Sequence, residues 1–74
     1  MGAAERATYA APVFYEHLDA KTLGQRLGMP ESWIRYNTTQ GDDPIPHLKM
    51  GKYVRYEWAH PDLAAWLERR RRAR

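Results

Sequence analysis

Residues 18–39 read LDAKTLGQRLGMPESWIRYNTT, and the punctuation inside this stretch decides the fold. Asp19 can accept hydrogen bonds from the free amides of a helix's first turn, and Leu18 and Leu23 stand at the two positions of a hydrophobic staple around it. A helix therefore begins here, with Ala20, Leu23 and Leu27 on one face. Gly28 ends it, because glycine readily takes the left-handed backbone that closes helices, and Pro30 with Glu31 opens a second helix almost at once. Two short helices joined so tightly form a helix-turn-helix unit. The second is predicted from about Pro30 to Thr39, stopping before Gly41 and the Asp42-Asp43-Pro44 turn. Helical spacing places Pro30, Trp33, Ile34 and Asn37 on one side and Ser32, Arg35, Tyr36 and Thr39 on the other. That second set carries a guanidinium, a phenol and two hydroxyls, all able to donate to phosphates or base edges, and no carboxylate.

Downstream the period changes. From Ile45 to Tyr56, Leu48 and Met50 lie two apart, as do Val54 and Tyr56, with Lys49, Tyr53 and Arg55 between them, so two short strands are predicted around Gly51-Lys52. A three-residue loop, Gly51 to Tyr53, would pair Met50 with Val54 and Leu48 with Tyr56, bury these four together and leave Lys49, Lys52 and Arg55 on the exposed side or tip. A two-residue loop would mix the faces. After His60, Pro61 and Asp62 start a last helix with Leu63, Trp66 and Leu67 as its apolar stripe. Trp66 is predicted to anchor it against Leu23, Ile34 and the hairpin. The run Glu68-Arg69-Arg70-Arg71-Arg72-Ala73-Arg74 suits the negative end of that helix and is expected to fray beyond its first arginines.

Upstream, the alanine-rich residues 1–14 carry no sustained period and read as an arm, with Val13, Phe14 and Tyr15 as a short lead-in. The expected organisation is thus an arm over 1–14, one α+β domain over 15–68 in the order helix, helix, hairpin, helix, and a basic tail over 69–74. This is the layout of a winged helix-turn-helix.

Size and inventory narrow the chemistry. A chain of 74 residues makes one small domain, and with no cysteine it lacks disulfides and thiolate metal sites, so apolar packing must stabilise it. His17, His47 and His60 have no paired metal-ligand spacing, no glycine-rich phosphate loop is present, and Asp42-Asp43 reads as a turn. The expectation is a non-enzymatic protein with no cofactor and no metal. No apolar stretch approaches the ~20 residues of a membrane span, and the start MGAAERATYAAP lacks the centre of a secretory signal, which points to a soluble, cytoplasmic chain with no membrane partner, nucleoid-associated if it binds DNA. Net charge is +3, but unevenly placed: residues 1–44 hold four basic and six acidic side chains, and residues 45–74 hold eight and three. The second part would attract a polyanion such as double-stranded DNA, and an anionic membrane surface would respond similarly, so charge alone does not choose between them. Trp33 and Trp66 are expected in the core, Trp58 is assigned to neither core nor surface, and Tyr36 and Tyr53 are expected to hydrogen-bond phosphate.

The succession Leu18-Asp19-Ala20, Leu27-Gly28-Met29-Pro30, Ile45-Pro46-His47, Met50-Gly51-Lys52-Tyr53-Val54-Arg55-Tyr56 and Pro61-Asp62-Leu63-Ala64-Ala65-Trp66-Leu67 resembles the excisionase-type branch of the MerR-like winged-helix proteins. It departs from their common pattern at Pro30 and Trp33. The resemblance implies that the helix with Ser32, Arg35, Tyr36 and Thr39 enters the major groove, while the Gly51 hairpin, with Lys49, Lys52, Tyr53 and Arg55, is a wing on the adjacent backbone. It also implies two roles. As an excisionase the chain would bind repeated sites, bend the DNA, associate with itself along it and assist an integrase; as a small transcriptional regulator it would act at a promoter. No long dimerisation helix follows residue 68, which favours the accessory role. A protein-interaction module that needs no DNA is a third reading.

Overall fold

The computed structural model describes residues 14–72. The order of elements is β1 (His17–Leu18), α1 (Ala20–Leu27), α2 (Glu31–Thr39), β2 (Leu48–Met50), β3 (Tyr53–Glu57) and α3 (Pro61–Arg72). The strands form one antiparallel sheet in the order β1-β3-β2. Three helices on a three-stranded antiparallel sheet are compatible with a winged helix-like fold. Most of the arm expected over 1–14, Val13 included, lies outside the described residues, as do residues 73 and 74 of the expected tail.

The helix-turn-helix forms for the reasons the sequence suggests. Asp19 accepts from the Thr22 backbone N–H at 2.8 Å and so caps α1, and Leu18 and Leu23 are both buried beside it. Gly28 sits at φ 70°, its N–H donating to the Gln25 carbonyl at 3.4 Å while the Met29 N–H donates to the Gly24 carbonyl at 2.8 Å, the paired closure of a Schellman motif. Gly24 has a separate duty. A Cβ there would lie 2.6 Å from the Met29 carbonyl oxygen, so only glycine lets the turn fold back this tightly. Pro30 precedes α2 and caps it through its carbonyl alone.

The core joins Leu18, Ala20, Leu23, Ile34, Ile45, Tyr56, Leu63 and Trp66, with Trp33, Val54, Trp58 and Leu67 packed partly buried against it. Trp66 is fully buried, meets Trp33 edge-on at 6.0 Å between centroids, and donates its indole N–H to the Asp43 carbonyl at 2.7 Å. Thr38 is the one buried polar side chain among the described residues; its hydroxyl donates to the Ile34 carbonyl at 2.7 Å and lies 2.6 Å from the Tyr56 hydroxyl. That contact ties α2 to β3.

Three expectations need correction. The hairpin register pairs Leu48 with Arg55, Lys49 with Val54 and Met50 with Tyr53, so the loop is the two residues Gly51-Lys52 and not three. Gly51 at φ 64° occupies the first loop position, where a two-residue type II′ turn takes glycine, and Ile45 rather than a residue of β2 joins Tyr56 in the core. Leu48 and Met50 are therefore exposed, 37% and 50%, beside Tyr53 and Arg55 on the outer face. The second correction is β1: His17 and Leu18 pair with Glu57 and Tyr56, whereas no strand was expected between the Val13–Tyr15 lead-in and the first helix. Of that lead-in, Phe14 is exposed and Tyr15 lies half-buried with its ring 5.0 Å from His60. Third, α3 runs on through Arg72, past the first arginines at which it was expected to fray.

Candidate nucleic-acid interface

The outer face of α2 is set by what its inner face must bury. Ile34 and Thr38 point into the core, and Ser32, Arg35, Tyr36 and Thr39 are consequently all exposed, Tyr36 to 65%. The Thr39 hydroxyl donates to the Arg35 carbonyl at 3.1 Å and keeps its lone pairs for a partner. Asn37 turns inward and donates to the Trp33 carbonyl at 2.9 Å. One expectation about this face fails: a carboxylate is present. Glu31, one helical turn before Arg35, accepts from its Nε at 2.8 Å and its Nη2 at 2.6 Å through the single oxygen Oε2. The i,i+4 spacing is the signal that would have found it.

The hairpin offers a second cationic surface. Tyr53, half exposed, has the Lys52 ammonium 5.5 Å and the Arg55 guanidinium 5.2 Å from its ring centroid, within the range at which a ring face attracts a cation. Arg55 also donates to the Val54 carbonyl at 2.8 Å. Lys49 is exposed but belongs to the other face, opposite Val54. The expected trio of Lys49, Lys52 and Arg55 is therefore split by the register: Lys52 and Arg55 gather at Tyr53, and Lys49 stands alone on the β2 edge.

The arginine run divides as well. Arg69 binds Asp43 through Nε and Nη2 at 2.8 and 3.0 Å, and Arg70 reaches the Asn37 amide oxygen at 3.3 Å while its guanidinium lies 4.7 Å from the Trp66 ring. These two clasp the end of α3 to α2 and to the loop after it. Arg69's hydrogen bonds hold the Asp43 carboxyl below its ordinary 3.8, and the same pairing pushes the Arg69 guanidinium up. The Asp19 carboxyl is also held down, chiefly by the Thr22 backbone N–H, with a smaller contribution from Arg55. Arg71 and Arg72 meet only Glu68 among the described residues, at 3.6 and 3.4 Å, and are about four-fifths exposed.

Away from these surfaces, the dispersed histidines come together more than their spacing suggests. His17 and His60 approach the two oxygens of Glu57 at 3.8 and 3.9 Å. No group of three His, Cys, Asp or Glu side chains among the described residues is arranged to hold a metal ion. A shallow pocket of about 120 Å³ lies between the start of β2 and the start of α3, with Glu57, His60 and Asp62 on its wall. No helix among the described residues is long and apolar enough to cross a membrane. Trp58, unassigned from sequence, packs partly buried against the core beneath Arg26, which is held in turn by Glu16 at 2.9 and 3.0 Å. Compared with protein-family models, with curated proteins and with solved structures, the chain matches none.

Proposed function

We propose that this chain is a non-enzymatic, sequence-specific double-stranded DNA-binding protein, a winged helix-turn-helix in which α2 enters the major groove and the β2–β3 hairpin lies along the neighbouring backbone. The observation that carries this reading is the outer face of α2. A two-helix unit whose first helix is capped at both ends presents Ser32, Arg35, Tyr36 and Thr39 to solvent, and all four side chains suit hydrogen bonding to base edges and phosphates. The cations around Tyr53 and the basic end of α3 supply the sequence-independent attraction that such a reader needs. Within this class, the excisionase role is our reading, resting on the sequence resemblance: the chain would bind repeated sites side by side, bend the DNA and assist an integrase.

Selection of a preferred duplex from a random pool, followed by titration of the wild type and Arg35→Ala, tests the DNA reading. Arg35→Ala is expected to weaken binding to the selected site by about 1–3 kcal/mol and to relax base preference at one position. Equal weakening on selected and random duplexes would remove base reading from Arg35. Footprinting over the DNA flanking the gene tests the role: tandem sites beside an integrase core site support excision, and a single promoter site supports regulation instead.

A further inference from the structure

We propose that Glu31 and Arg35 act as one base-reading unit that selects guanine with a cytosine amino group beside it, which makes Glu31 a specificity-determining residue; the inference rests on α2 being the recognition helix. Glu31 opens α2 and Arg35 stands one turn further on, at its midpoint; the N-terminal part of a recognition helix is the part that reaches base edges. Nε and Nη2 of Arg35 converge on Oε2 of Glu31 at 2.8 and 2.6 Å, and the Arg35 side chain remains two-thirds exposed. A guanidinium has five N–H donors. With its Nε side taken, Arg35 is left with the Nη1 hydrogens and the second Nη2 hydrogen, a forked end that matches guanine O6 and N7. Held by two bonds, that fork is oriented before any DNA arrives.

Glu31 brings a second half to the pattern. Its Oε1 accepts no hydrogen bond among the described residues, so an acceptor stands next to the donor fork. In the major groove the amino N4 of cytosine is the donor that a carboxylate accepts. The other bases are penalised. Adenine would set its own N6 hydrogens against the guanidinium, and the O4 of thymine would face the carboxylate oxygen. Glu31 also explains its own apparent disadvantage, since a carboxylate near phosphates opposes binding to every duplex, and an acidic group on a DNA-facing surface is useful chiefly as a means of rejecting wrong partners.

The test compares the wild type with Glu31→Gln and Glu31→Asp, after circular dichroism has established that both variants fold. Each is titrated against the selected duplex, against duplexes with every other base pair at the position where Arg35→Ala relaxes preference and at its two neighbours, and against random DNA. Glu31→Gln is expected to bind random DNA as well as the wild type or more tightly, while discrimination for guanine with its neighbouring cytosine falls by about fivefold to a hundredfold. Glu31→Asp keeps the negative charge in the first turn but is one methylene shorter, and is expected to lose the same discrimination. Unchanged discrimination in Glu31→Gln, or loss in Glu31→Gln with full retention in Glu31→Asp, would overturn the paired reading and leave Glu31 as a helix-end charge. A wild type that selects no duplex would instead defeat the DNA reading itself, and this inference with it.

Discussion

At the scale of single residues, two backbone positions show how closely the turns are specified. Ala59 has φ 70° in the turn between β3 and α3, a left-handed conformation that costs an alanine about 1–2 kcal/mol, partly offset by the unfolded-state entropy a glycine would add. Ala59→Gly is therefore expected to stabilise the domain by about 0.5–1 kcal/mol. Gly24→Ala should act in the opposite direction, by about 1–3 kcal/mol, because its Cβ would meet the Met29 carbonyl oxygen at 2.6 Å and one backbone segment must move. Urea unfolding of both variants checks the pair; a Gly24→Ala protein as stable as the wild type would mean that the turn has slack. Neither position stood out in the sequence. Glycine within a helical pattern signals only lower helix propensity, and nothing local marks an alanine that must adopt positive φ. Glu31 was legible through its four-residue spacing from Arg35, but a face drawn from the hydrogen-bond donors alone passes over it.

At the scale of elements, the hairpin carries the clearest functional expectation. Lys52 and Arg55 gather on Tyr53, and each neutralised phosphate contributes roughly 0.9 to the slope of log affinity against log salt. Lys52→Ala and Arg55→Ala should each flatten that slope by up to about one unit and weaken selected and random duplexes alike. Titration at several salt concentrations decides this, and wild-type slopes in both variants would remove the hairpin from the interface. The helices were readable because caps and stop signals act locally: Asp19, Gly28 and Pro61 fixed their ends within a residue or so. The strand register was not. It follows turn chemistry at Gly51, and a reading that maximises burial of Leu48 and Met50 gives them a place in the core that Ile45, just before β2, takes instead. β1 was hidden for a similar reason, since two residues hold no period and pair only once β3 is in place. The end of α3 depends on Asp43, 26 positions before Arg69, a partnership that no window of sequence contains.

At the scale of the whole molecule, hydrogen-bonded carboxylates make stability depend on pH. The Asp19 and Asp43 carboxyls are both held below 3.8 in the folded protein, so the folded state releases their protons more readily than the unfolded chain. Their contribution is fully present above the ordinary carboxylate range and is lost as pH falls through it and through the folded values below. Thermal melts from pH 7 downward should thus hold a plateau to about pH 5 and then decline. Asp43→Asn, which removes the Arg69 clasp, should lower Tm at neutral pH and shrink the difference between the plateau and the acid end; an undiminished decline would place the acid sensitivity elsewhere. The sheet also ends on β2, an open edge on which Leu48 and Met50 are exposed and only Lys49 between them carries charge. Free strand edges bordered by apolar side chains invite other chains to zip onto them, and an ammonium group in mid-strand is a common guard against it. Two copies pairing edge to edge there would bring like charges together, so the Lys49 ammonium would oppose such zipping whenever the protein is crowded among its own kind.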